Sequence, residues 1–102
     1  MVARVAMFDG IDVEEAQRTM PEADKIIRPL VQGLDGYQGQ LDLATQDGKF
    51  VSITFFDSTE NAQAAEQTFD EEMPRQLGEM FMSWSGRRLS VERYEVVGDE
   101  RR

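Results

Sequence analysis

Trp84 and Tyr94 are the side chains of this 102-residue sequence best able to donate a proton toward a substrate oxygen, one through its indole N–H and the other through its phenol. Phe8, Phe56, Phe69, Met73 and Met80 are aromatic and thioether groups of the kind that line a pocket for a flat apolar molecule, and Thr54 adds a hydroxyl. The ordinary alternative for each is packing in the core or in a dimer contact. Absences narrow the chemistry. The chain has no cysteine, which removes thiolate nucleophiles, thiolate-bound zinc and iron–sulfur clusters. It has no histidine either, which removes the commonest general base and the usual haem and transition-metal ligand. No metal and no organic cofactor is expected.

Other polar residues have competing readings. Gln40, Ser52 and Thr54 share one face of a hairpin, where they either bond a ligand or face water. Asn61 could orient a substrate oxygen, but its place in the first turn of a helix favours capping. Arg4 and Glu92, on strands expected to lie outermost, read as an exposed pair, worth only about 0–1 kcal/mol. Arg87-Arg88 either attracts an anionic substrate or starts a solvated strand. Asp70-Glu71-Glu72 falls at a helix C-terminus, where the macrodipole disfavours it, and makes a poor metal site without histidine.

The elements that must position these groups follow from periodicity. Val2 to Phe8 reads as a strand stopped by Asp9-Gly10. Asp12 and Glu15 have the spacing of a capping box, and Val13, Ala16, Met20, Ala23, Ile27, Leu30 or Val31, and Leu34 then recur at helical steps. A kink or restart is expected at Pro21, and Gly33 ends the helix. Tyr37–Thr45 and Phe50–Phe56 form a hairpin. A two-residue loop would mix polar and apolar side chains on both faces. A three-residue loop, Gln46-Asp47-Gly48 with Gly48 left-handed, pairs Leu43 with Val51 and Leu41 with Ile53 and sorts them. One face then carries Tyr37, Leu41, Leu43, Val51, Ile53 and Phe55, the other Gln38, Gln40, Asp42, Ser52, Thr54 and Phe56. Asp57 or Ser58 caps a second helix, Thr59 to about Glu72, and Pro74 ends it or opens a further turn. A Met- and aromatic-rich stretch, Leu77–Trp84, precedes the last strand, Leu89–Val97.

The order β-α-β-β-α-β is that of an α+β ferredoxin-like fold, one domain over residues 1–97 with a charged tail at 98–102. Two helices cover only one face of a four-stranded antiparallel sheet. The other carries enough apolar surface to require a cover, and a second copy related by twofold symmetry is the simplest, so a homodimer is expected. The net charge of −9 repels nucleic acid and anionic membranes. No apolar run approaches the roughly 20 residues of a membrane span, and no secretory leader is legible, so the cytoplasm is the default compartment.

Three stretches, Gly36-Tyr37-Gln38-Gly39, Ser52-Ile53-Thr54-Phe55-Phe56-Asp57-Ser58 and Thr59-Glu60-Asn61-Ala62, resemble the antibiotic-biosynthesis monooxygenase-like members of the dimeric α+β barrel superfamily. The similarity covers nearly the whole chain in element order, and its motifs describe scaffold corners. It implies two sheets packed into a barrel, with a pocket in each subunit between sheet and helices. Activities known among such proteins include oxygenation of quinone-forming polyketides without a cofactor and oxidative haem breakdown, and many members have no known activity. The haem-degrading branch uses an Asn, a Trp and a His at positions that here hold Phe8 or Asp9, Phe56 and no histidine, which argues against that activity. Two readings remain. One is a small-molecule enzyme or binding protein, with Trp84 and Tyr94 donating to a phenolate and Phe8, Thr54, Phe56, Phe69, Met73 and Met80 binding the substrate. The other is a noncatalytic dimeric module. A cavity lined by Trp84 and Phe56 favours the first, a filled interior the second.

Overall fold

The computed structural model describes residues 1–100. Four strands, β1 (Val2–Asp9), β2 (Tyr37–Ala44), β3 (Phe50–Phe56) and β4 (Arg87–Glu95), form one antiparallel sheet in the order β2-β3-β1-β4. Helix α1 (Val13–Gln32) crosses from β1 to β2. A helical path made of α2 (Thr59–Ala64), a π turn (Thr68–Glu72) and α3 (Met73–Ser83) crosses from β3 to β4. This is the ferredoxin-like topology that the sequence predicts. After β4 the chain has no regular structure through Glu100, and the last two positions of the expected tail, Arg101 and Arg102, lie outside the described residues.

The hairpin has the three-residue loop. Leu43 faces Val51, Leu41 faces Ile53, and Gly48 is left-handed at φ 97°. Its carbonyl accepts from Ile11 N at 3.0 Å, which docks the β1–α1 loop on the hairpin tip. Asp12 caps α1 as expected, accepting from Glu15 N at 3.1 Å, whereas the Glu15 carboxylate turns to Arg18.

Four local expectations need correction. First, α1 runs unbroken through Pro21. Pro21, Pro29 and the residues whose carbonyls they orphan, Gln17 and Lys25, are all exposed, so water takes the lost bonds while Ala23 and Val31 keep one stripe buried. Second, the helix after Ser58 does not run regularly to Glu72. It widens into a π turn in which Met73 N donates to Thr68 O, and this gives the Pro74 ring room before α3.

Third, a bulge between Tyr37 and Gly39 puts Tyr37 opposite Phe56, on the helix side rather than with Leu41 and Leu43. Fourth, β1 is a central strand, and Arg4 does not meet Glu92. Arg4 stands on the helix side, 3 % exposed, while Glu92 opposes Val5 on the other face.

The core lies between sheet and helices. Val2 and Phe56 pack on Ala62 and Ala65; Ala23, Val31, Met73 and Leu77 form the second cluster, with Phe69 joining the two. The opposite sheet face bears no helix. There the cross-strand rows Val5–Ile53–Leu41 and Met7–Val51–Leu43 leave Met7, Leu41 and Leu43 exposed.

Candidate functional site

The two helical layers do not fill the space above the sheet. A cavity of about 680 Å³ remains between the polar face of β1–β3 and the helices. This lies within the roughly 300–1,000 Å³ of small-molecule sites. Phe8 and Phe50 form one wall, their ring centroids 5.9 Å apart on adjacent strands. Phe81 and Trp84, 5.1 Å apart at the end of α3, form another. Met20 and Ile27 descend from α1, and Phe69 and Met73 from the π turn and the start of α3. Gln40, Ser52 and Asp24 bring polar atoms to this lining, and the exposed side chains Asp42, Asp70 and Arg88 mark its rim.

Trp84 lines the cavity, but its indole N–H is already engaged. Nε1 donates to Thr19 Oγ1 at 2.7 Å, and that hydroxyl donates onward to the Glu15 carbonyl at 2.9 Å. The ring is thereby fixed as a wall, and donation to a ligand would first require this bond to break. Tyr94 is elsewhere. It opposes Ala3 on the helix-free face, half exposed, and donates its hydroxyl to Glu92. That hydrogen bond to the carboxylate holds the phenol above its ordinary titration range, and ionisation would also set two anions side by side. The expected pairing of Trp84 and Tyr94 over one substrate is therefore not formed in this chain.

Phe8, Phe69 and Met73 line the cavity as the sequence suggests. Phe56 and Thr54 do not, being sealed at 0 % exposure within the sheet–helix core. Met80 packs on the second core cluster behind the wall. Asn61 is a corner brace, donating to Asp57 Oδ1 at 2.8 Å, and Ser58 is the cap of α2. Arg88 is bonded to Asp70 at 2.7 Å across the rim. Among the described residues no three His, Cys, Asp or Glu side chains converge as a metal would require.

Arg4 too is misplaced by sequence reasoning. Its Nε donates to Glu66 Oε1 at 2.9 Å and its Nη2 to Oε2 at 3.3 Å, and the guanidinium lies 3.9 Å from the centroid of the Phe69 ring. The signal was present in the spacing. Val2, Arg4, Ala6 and Phe8 share one face of a strand, and Ala62, Glu66 and Phe69 share one face of a helix. An Arg and a Glu, each alone on an apolar stripe, need one another once those stripes meet.

No protein-family model matches the sequence, and no curated protein does. Solved structures do match in shape. A dimeric ferredoxin-like protein from an uncultured marine organism superposes with a TM-score of 0.75 at 17 % identity, covering 99 % of this chain and 98 % of its own. The chain has a ferredoxin-like fold. A candidate antibiotic biosynthesis monooxygenase from Deinococcus radiodurans gives a TM-score of 0.67 at 15 % identity over 99 % of this chain and 97 % of its own. Another from Bordetella bronchiseptica gives 0.68 at 12 % identity over 94 % and 96 %. At such identities the likeness is one of fold. Among the described residues no helix is long and apolar enough to cross a membrane.

Proposed function

We propose that the cavity binds a small flat aromatic molecule, and that the protein oxygenates a phenolic or quinol substrate of this kind without a cofactor, working as a homodimer. The observation that carries the reading is the cavity's lining: five aromatic rings, Phe8, Phe50, Phe69, Phe81 and Trp84, with two thioethers, around a volume that suits two or three fused rings. The monooxygenase-like neighbours in shape support the reaction class, and the dimeric neighbour supports the assembly.

Such a reaction needs little from the protein. An anthrone-type substrate releases a proton from its CH₂ to solvent at the cavity mouth to give an enolate, which transfers an electron to O₂. Recombination gives a peroxide, a proton returns to it from solvent to make the hydroperoxide, and loss of water leaves the quinone. One O₂ is consumed per substrate, with one oxygen in the new carbonyl and one in water. The aromatic walls exclude competing water, and a guanidinium donor stabilises the oxygen where charge develops.

The test is oxygen uptake with anthrone. Uptake equimolar with anthraquinone formed is expected, and Ser52→Phe, which fills the cavity from β3, should reduce it at least tenfold. A rate no greater than that of buffer, or one unchanged in Ser52→Phe, overturns the proposal.

A further inference from the structure

The Arg4 guanidinium has more donors than Glu66 accepts. Glu66 occupies Nε and Nη2. Among the described residues no buried side-chain nitrogen or oxygen lacks a partner, so Nη1, which lies outside that pair, keeps accessible surface, and the cavity is the space that Arg4 lines. A guanidinium offers five N–H donors in a fixed plane, and two of them sit on this outer nitrogen. Its positive charge, however, is matched by Glu66 at contact distance. The lining and rim carry three further carboxylates, and among the described residues Asp24 is paired with Arg28, Asp70 with Arg88, and Asp42 accepts from Gln40.

We infer that Arg4 is the specificity-determining residue of this cavity and that it selects an uncharged carbonyl or phenol oxygen in preference to a carboxylate. The inference rests on the small-molecule reading proposed above and adds the ligand's polar class. A neutral acceptor gains charge-assisted hydrogen bonds from Nη1 and requires no counter-charge. A carboxylate gains the same bonds, but its charge would sit beside that of Glu66 in a largely desolvated space, where the pair leaves no net positive charge to balance it. Glu66 is thus a positioning residue, holding the guanidinium plane and cancelling its charge. For an oxygenation substrate this means entry as the neutral keto or phenol form, with anionic charge developing on the oxygen only after binding.

The test uses three naphthalenes of similar size: 2-acetonaphthone, 2-ethylnaphthalene and 2-naphthoate. Affinities are measured by calorimetry, and Trp84, the only tryptophan, reports occupancy of the cavity by its emission. The ketone should bind about tenfold more tightly than the ethyl compound, the scale of one charge-assisted hydrogen bond, and also more tightly than the carboxylate. In Glu66→Gln the order should invert, with naphthoate now binding most tightly.

Arg4→Met should erase the advantage of the ketone while leaving the ethyl compound unaffected. Because that variant strands Glu66, the double variant Arg4→Met/Glu66→Gln repeats the measurement without a lone buried charge. A ketone advantage that persists without Arg4, a wild-type preference for naphthoate, or an order unchanged in Glu66→Gln would each overturn the inference while leaving the cavity's role intact. If none of the three perturbs Trp84, the small-molecule reading fails and the inference falls with it.

Discussion

At the scale of single residues, the groups best suited to chemistry by type are already committed to neighbours, and the free donor is one that type alone would not single out. Trp84 shows the logic. An indole N–H carried into a partly buried wall needs an acceptor, and Thr19, on the facing side of α1, supplies one at 2.7 Å. We expect Thr19→Val to cost about 1 kcal/mol in urea unfolding, the usual net worth of one such bond, and to shift the Trp84 emission maximum as the N–H loses its partner. Tyr94 is legible as a polar aromatic residue on a strand. Whether it met Trp84 depended on which sheet face it occupied, and this was set by pairing with Ala3.

At the scale of elements, the corners and the irregularities decide what reaches the cavity. The Gly36-Tyr37 corner has a stereochemical reason: Gly36 is left-handed at φ 73°, and a Cβ there would stand 2.2 Å from Asp57 Oδ1 and 2.5 Å from Asn61 Nδ2. Gly36→Ala should therefore destabilise by about 2 kcal/mol or more, read as a lower midpoint of chemical denaturation, because it combines backbone strain with a break in the Asp57–Asn61 brace. A second irregularity, between Met7 and Phe8 against β4, sets Arg88 rather than Leu89 opposite Phe8 and so carries a cation to the cavity rim. Alternation along Leu89–Val97 could not have shown this. The π turn acts likewise on the helical side, bringing Phe69 and Met73 to the same lining just before Pro74.

At the scale of the molecule, the sheet is asymmetric. One face holds the cavity and the core; the other exposes Met7, Leu41 and Leu43 at 43, 44 and 48 % beside Tyr94. An isologous contact of two such faces would remove these side chains from water. Light scattering is expected to give twice the chain mass, and Leu41→Lys/Leu43→Lys to give the monomer, since facing charges replace the apolar rows. A wild-type monomer at micromolar concentration would reject the homodimer.

The amino-acid order by itself determined the β-α-β-β-α-β framework and the hairpin register, because apolar period and glycine stereochemistry are local and admit few solutions. It also determined the exclusions that follow from having neither cysteine nor histidine. Only the tertiary structure decided that β1 is central and that Arg4 is buried against Glu66, 62 residues away. It alone divided Trp84 and Tyr94 between opposite faces. Strand order and bulges choose which face a side chain occupies, and those choices arise from long-range contacts between stripes that look alike when each is read along its own segment.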